Sequence, residues 1–164
     1  NGLKKLIKTL TEDVEAFSYL SETMGCRRYL DLWEMGDNSR LELDKVTVKS
    51  VAVEHYGGVA YRLETAEGTI VFSGDTVPDQ SLTRLAKGCD VLIHECSFPH
   101  ELLIGKHTSD VQLAKIAAEV MPRVLIVTHL YPVWTGLEHR LLKSLAERGL
   151  EKVVIAKDGD IIEL

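Results

Sequence analysis

The sequence predicts an α/β protein of the α+β type, a mixed sheet with helices on its outer face. Two observations carry this. Between Leu41 and Phe72, short apolar runs alternate with polar residues and are broken by turn residues, as in a meander of strands. From Asp75 onward the pattern becomes strand, helix, strand, helix, which places helices against a sheet. No repeat, low-complexity segment or linker interrupts the 164 residues, so residues 1–164 are expected to form one domain.

Leu3, Leu6, Ile7 and Leu10 recur at helical spacing. A second helical stretch follows through Val14, Phe17 and Leu20, and Gly25 ends it. Leu30, Leu32 and Trp33 look extended, and residues 36–39 form a turn. Leu41 and Leu43 alternate with polar residues. So do Val46, Val48, Val51 and Val53, which are expected to share one buried face. Gly57-Gly58 marks a turn or a close backbone approach before a strand from Val59 to Leu63. Residues 66–68 turn the chain into Ile70-Val71-Phe72. A helix is expected from Pro78 to Ala86, then a strand ending at His94-Glu95. Ser109 or Asp110 caps a helix whose core stripe is Val111, Leu113, Ile116, Ala117 and Val120. Leu125-Ile126-Val127 is a buried strand, Leu137 to Arg148 a helix, and residues 153–162 a closing hairpin.

Composition narrows the function. Lys and Arg number 19 against 25 Asp and Glu, a net charge of −6. This lacks the basic face of a nucleic-acid footprint, so nucleic acid is not favoured as a partner. The three cysteines are irregularly spaced, without a CxxC, and read as reduced thiols of a cytoplasmic protein. No apolar run approaches the roughly 18 residues of a membrane span.

The chemistry lies at strand ends. His55 follows Val51-Ala52-Val53, Asp75 follows Ile70-Val71-Phe72, His94 and Glu95 follow Val91-Leu92-Ile93, and His129 follows Leu125-Ile126-Val127. His107 stands in a loop before a helix. A lone histidine at a strand end is commonly structural, and Asp75 alone is equally well read as a helix cap. Their recurrence at successive tips makes a metal site the better reading, since imidazole and carboxylate suit Zn, Mn or Fe. His94 reads as a neighbour of Glu95 rather than a ligand. His100 and His139 read as solvated and Cys96 as a packing thiol; Trp33 and Trp134 are the candidate pocket walls, with Trp134 the better choice because it lies in the loop after His129.

Ser73-Gly74-Asp75-Thr76, Leu92-Ile93-His94-Glu95, His107-Thr108-Ser109 and Thr128-His129-Leu130 occur in the order of the later motifs of the metallo-β-lactamase superfamily. The chain resembles its ribonuclease Z and arylsulfatase-like branch, in which a middle histidine precedes a Tyr-Arg strand, as His55 precedes Tyr61-Arg62. The resemblance implies part of an αββα sandwich. It implies a hydrolase of phosphodiester or other ester-type substrates, with metal-bound hydroxide as nucleophile and two zinc ions in the complete protein. Asp75 would bridge the ions, His55 and His129 would bind one each, His107 would contact the scissile group or protonate the leaving group, and Glu95 would orient His107. The residues that bind substrate are unknown.

The family's early His-x-His-x-Asp-His motif is absent, since no two histidines here are separated by one residue. Only twenty positions separate His55 from Asp75, where tRNA-processing relatives carry a long arm. The chain is therefore expected to be the C-terminal portion of a longer enzyme, weak in metal binding and inactive alone. It would pair with the missing N-terminal part or with a second copy. The rival readings are a half-fold without catalysis that serves as an interaction module, and a plain α/β domain with structural histidines.

Overall fold

A computed structural model describes residues 33–150 and 152–163. The chain divides into two compact units, Asn1–Met35 and Gly36–Leu164, and every element below belongs to the second. The helices expected before Gly25, Cys26 and the stretch Leu30 to Leu32 lie outside the described residues.

Seven strands form one sheet among the described residues, in sequence order. They are β1 (Ser39–Leu43), β2 (Val46–Ala52), β3 (Val59–Glu64), β4 (Thr69–Phe72), β5 (Val91–Glu95), β6 (Val124–Thr128) and β7 (Val153–Ile155). The pairs from β1 to β4 are antiparallel, and those from β4 to β7 are parallel. Short connections suffice for the first group, while parallel neighbours need a crossover, here supplied by a helix each time. The crossovers are α1 (Gln80–Ala86), α2 (Asp110–Val120) and α3 (Glu138–Ala146).

The three helices cover one face of the sheet. Their inward residues Leu82, Ala86, Leu113, Ala117, Leu141 and Leu145 are fully buried, and they share a core with Val71, Leu92, Leu125 and Val127. Helix α2 touches both α1 and α3. Helix α1 begins two residues later than expected, because the Asp79 side chain caps it by accepting from Ser81 N and Leu82 N. Asp75 is therefore not the cap. Arg62 closes the other end of α1, its guanidinium donating to the carbonyls of Leu85 and Lys87. Ser109, rather than Asp110, caps α2 in a reciprocal pair with Gln112.

The opposite face is also apolar. Pairing places Leu41, Val48, Leu63, Ile70, Val91 and Val124 in one row across the sheet. Phe72, Ile93, Ile126 and Val154 form the next. Phe72 is 43% exposed. Here the structure corrects the expected valine face. Val51 and Val53 join the helix-side core, whereas Val46 and Val48 point away from it. Val48 and Val51 are three positions apart within one continuous strand, so alternation puts them on opposite faces. The chain end differs as well: β7 stops at Ile155, and Ile161 and Ile162 form no strand. Ile162 packs on the apolar rows instead.

Candidate metal centre

The tips of β2, β4, β5 and β6 meet at one end of the sheet. After β2 the chain turns tightly: His55 N–H donates to Val53 O, and Gly58 N–H donates to His55 O. Gly57 makes this turn at φ +66°, and Gly58 is a true close approach. A Cβ on Gly58 would lie 2.9 Å from Val53 Cγ2, 3.0 Å from His55 Cβ and 3.3 Å from Asp75 O. The His55 and Asp75 loops are thus packed backbone to backbone. Asp79 adds a tie, accepting from Glu54 N at 3.0 Å.

Asp75 stands beyond Gly74, which turns at φ +59° against Val59 O. The Asp75 carboxylate, His55 and His107 offer ligand atoms that all lie within 4.8 Å of one another. Glu95, His107 and His129 form a second such group. The His107 ring lies 5.4 Å from that of His55 and 5.3 Å from that of His129, centroid to centroid. Asp75 Oδ2 is 3.6 Å from His129 Nε2. Donor atoms held at about 2.0–2.1 Å by one tetrahedral cation lie about 3.4 Å apart, so this spacing fits a shared ion.

Glu95 is the buried hub. Its carboxylate accepts the backbone N–H groups of Thr76, Ser97 and Thr108, the Ser97 hydroxyl and His107 Nδ1, the last at 2.9 Å. A carboxylate buried without such donors would be strongly disfavoured. His107 Nδ1 is thereby committed, and its Nε2 is the nitrogen left for the site. His129 closes β6 in the left-handed region at φ +55°, a conformation rare outside glycine and enriched at working sites.

His94 stands apart. It is wholly buried, its Nδ1 bonded to Glu95 O and its Nε2 without a hydrogen-bond partner. Burial lowers its pKa below the usual imidazole value. His100 and His139 are exposed. Cys96 is buried and burial pushes its thiol pKa up, in keeping with a packing role. Trp134 is not a pocket wall. It is buried, and its indole N–H donates to Cys96 O at 2.9 Å, pinning the segment after β5. The aromatic wall comes from Tyr131 and Phe98 instead. Their rings lie 4.5 Å apart, and both face His107. Tyr131 follows His129 by two residues, a signal the sequence reading passed over in favour of the larger indole. Ser97 was also missed.

Among the described residues, no helix is long and apolar enough to cross a membrane. A profile of the beta-lactamase superfamily domain matches residues 4–130. Ribonuclease Z of Enterococcus faecalis is 34% identical over 116 residues, covering 68% of this chain and 37% of that protein. Ribonuclease Z of Methanosarcina acetivorans is 31% identical over 112 residues, covering 62% of this chain and 36% of that protein. The chain thus spans about a third of the length of these curated relatives. Among solved structures, the metallo-beta-lactamase fold protein YhfI from Bacillus subtilis superposes with a TM-score of 0.72 at 23% identity, over 93% of this chain and 62% of that one. With the fold, the strand-tip motifs and the domain match in agreement, the chain belongs to the metallo-β-lactamase superfamily, in its ribonuclease Z-like branch.

Proposed function

We propose that this chain forms part of a divalent-metal-dependent hydrolase acting on phosphodiester or other ester-type substrates. One observation carries the reading: His55, Asp75, His107 and His129 converge from separate strand tips and loops into two overlapping groups of metal-competent atoms. His55, Asp75 and His129 would hold the ions, with Asp75 between the two histidines. An imidazole and carboxylate set suits zinc, and also accepts Mn or Fe. When bound, two such cations supply Lewis acidity and a hydrolytic nucleophile at neutral pH.

The chain's own residues do the rest. Glu95 accepts from His107 Nδ1–H and so fixes the ring; as the doubly protonated imidazolium, His107 would carry a second proton on Nε2 to give to the leaving oxygen. Tyr131 and Phe98 offer an aromatic wall beside the His107 ring. Tyr56, Leu102 and Ile104, exposed on the same loops, favour an ester with an apolar or aromatic substituent over a long polyanion. Three ligand residues shared between two ions are too few for tight binding. The remaining ligands are therefore assigned to the rest of the full-length protein, which would also cover the apolar sheet face.

The test is metal analysis of the full-length protein with a phosphodiesterase and lactonase screen. Two equivalents of zinc and turnover in that screen are expected. A full-length protein that binds no divalent ion and hydrolyses nothing would sink the enzyme reading and leave an interaction module.

A further inference from the structure

One buried hydroxyl stands between two members of the site. Ser97 Oγ lies 2.6 Å from Glu95 Oε2 and 2.9 Å from His129 Nδ1. A hydroxyl has one proton to give. The three backbone N–H groups aimed at Glu95 suit an ionised carboxylate, which only accepts. If Ser97 turned its proton to His129, two oxygens with only lone pairs would face each other at 2.6 Å. The proton therefore goes to Glu95. Ser97 Oγ then presents lone pairs to His129, and the ring must carry its proton on Nδ1. That leaves a lone pair on Nε2, the atom 3.6 Å from Asp75 Oδ2.

Packing does not hold this ring by itself, because the His129 side chain is 39% exposed. Glu95 thus orders two histidines by two routes. It accepts a hydrogen bond from His107 Nδ1–H directly, and it reaches His129 through Ser97.

We infer that Ser97 is a positioning residue, relaying the Glu95 carboxylate to His129 so that the ring keeps its proton on Nδ1 and offers Nε2 to a divalent cation beside Asp75. The inference rests on the metal-centre reading above for its purpose, and its structural part can be tested without metal.

The experiment is NMR of the histidine ring nitrogens in the metal-free full-length protein at alkaline pH, where the rings are neutral. His129 and His107 should both be protonated on Nδ1. An unconstrained imidazole in water prefers the proton on Nε2. Ser97→Ala should therefore move His129 toward the Nε2–H form while His107 stays unchanged, and Ser97→Thr should restore the wild-type pattern. Zinc affinity should fall about 10- to 100-fold in Ser97→Ala and recover in Ser97→Thr. Two results would overturn the relay: a wild-type His129 protonated on Nε2, or a His129 tautomer that does not respond to Ser97→Ala. Absence of zinc binding in the wild type would instead overturn the metal reading, because the tautomer measurement is made without the ion.

Discussion

Asp75 Oδ2 and His129 Nε2 stand 3.6 Å apart, although 54 positions separate the two residues in sequence (129 − 75). They meet because β4 and β6 both run parallel to β5 and end at the same edge. In the full-length protein, Asp75→Ala is expected to remove metal binding and hydrolysis together, since Asp75 lies within reach of both neighbouring histidines. The 164-residue chain by itself should bind zinc weakly. Calorimetry that finds stoichiometric tight zinc in the isolated chain would show that its ligand set is already complete.

Glu95→Gln tests the hub. The substitution keeps the volume but replaces one acceptor oxygen with a donor NH2, set among three backbone N–H groups. A buried donor left facing donors costs on the order of 2 kcal/mol. Thermal unfolding should register that loss, and activity should drop through kcat as His107 loses its orientation. A variant with unchanged stability and unchanged kcat would remove Glu95 from both roles.

Gly58 is the point where the His55 and Asp75 loops touch. Gly58→Ala forces a methyl into Val53 and His55. Overpacking of this kind costs about 1–3 kcal/mol. Zinc affinity should fall further than in Gly57→Ala, because the clash moves His55 itself. If chemical denaturation and zinc titration show Gly58→Ala to be silent, the close approach is not what positions the ligand.

His94 makes the fold acid-sensitive. Its folded pKa lies below the ordinary 6.5, chiefly because burial disfavours the charged ring. The unfolded chain therefore takes up a proton as pH falls below 6.5, and the folded chain does so only at lower pH. The associated stability is present above that value and is lost as pH drops through the folded pKa. His94→Phe should flatten this part of the pH–stability curve measured by denaturant unfolding. An unchanged slope would assign the acid sensitivity to other groups.

Much of the architecture was legible along the chain. Strand runs ending in His55, Asp75, Glu95 and His129 are local patterns, and so is the stripe of α2, because side-chain period follows directly from residue spacing. The division of Val46 and Val48 from Val51 and Val53 was legible too, in the three-residue step between Val48 and Val51. It was missed by treating the four valines as a single stripe. Asp79 was passed over as a cap because Asp75 and Pro78 stand just before it and carry similar signals.

Other features had no local signature. Ser97 and His129 are 32 positions apart, and only the pairing of Glu95 with Thr128 brings that hydroxyl to the ring. The burial of Trp134 depends on the Cys96 carbonyl, which the same pairing brings within reach. Residue type and spacing determine which groups stand at a strand tip and which side of a helix is apolar, because each follows from a few neighbouring dihedrals. Tautomers, ligand spacing and the choice of Tyr131 over Trp134 as the wall required the register between β5 and β6. That register emerges only when distant segments bury their apolar faces against the same three helices.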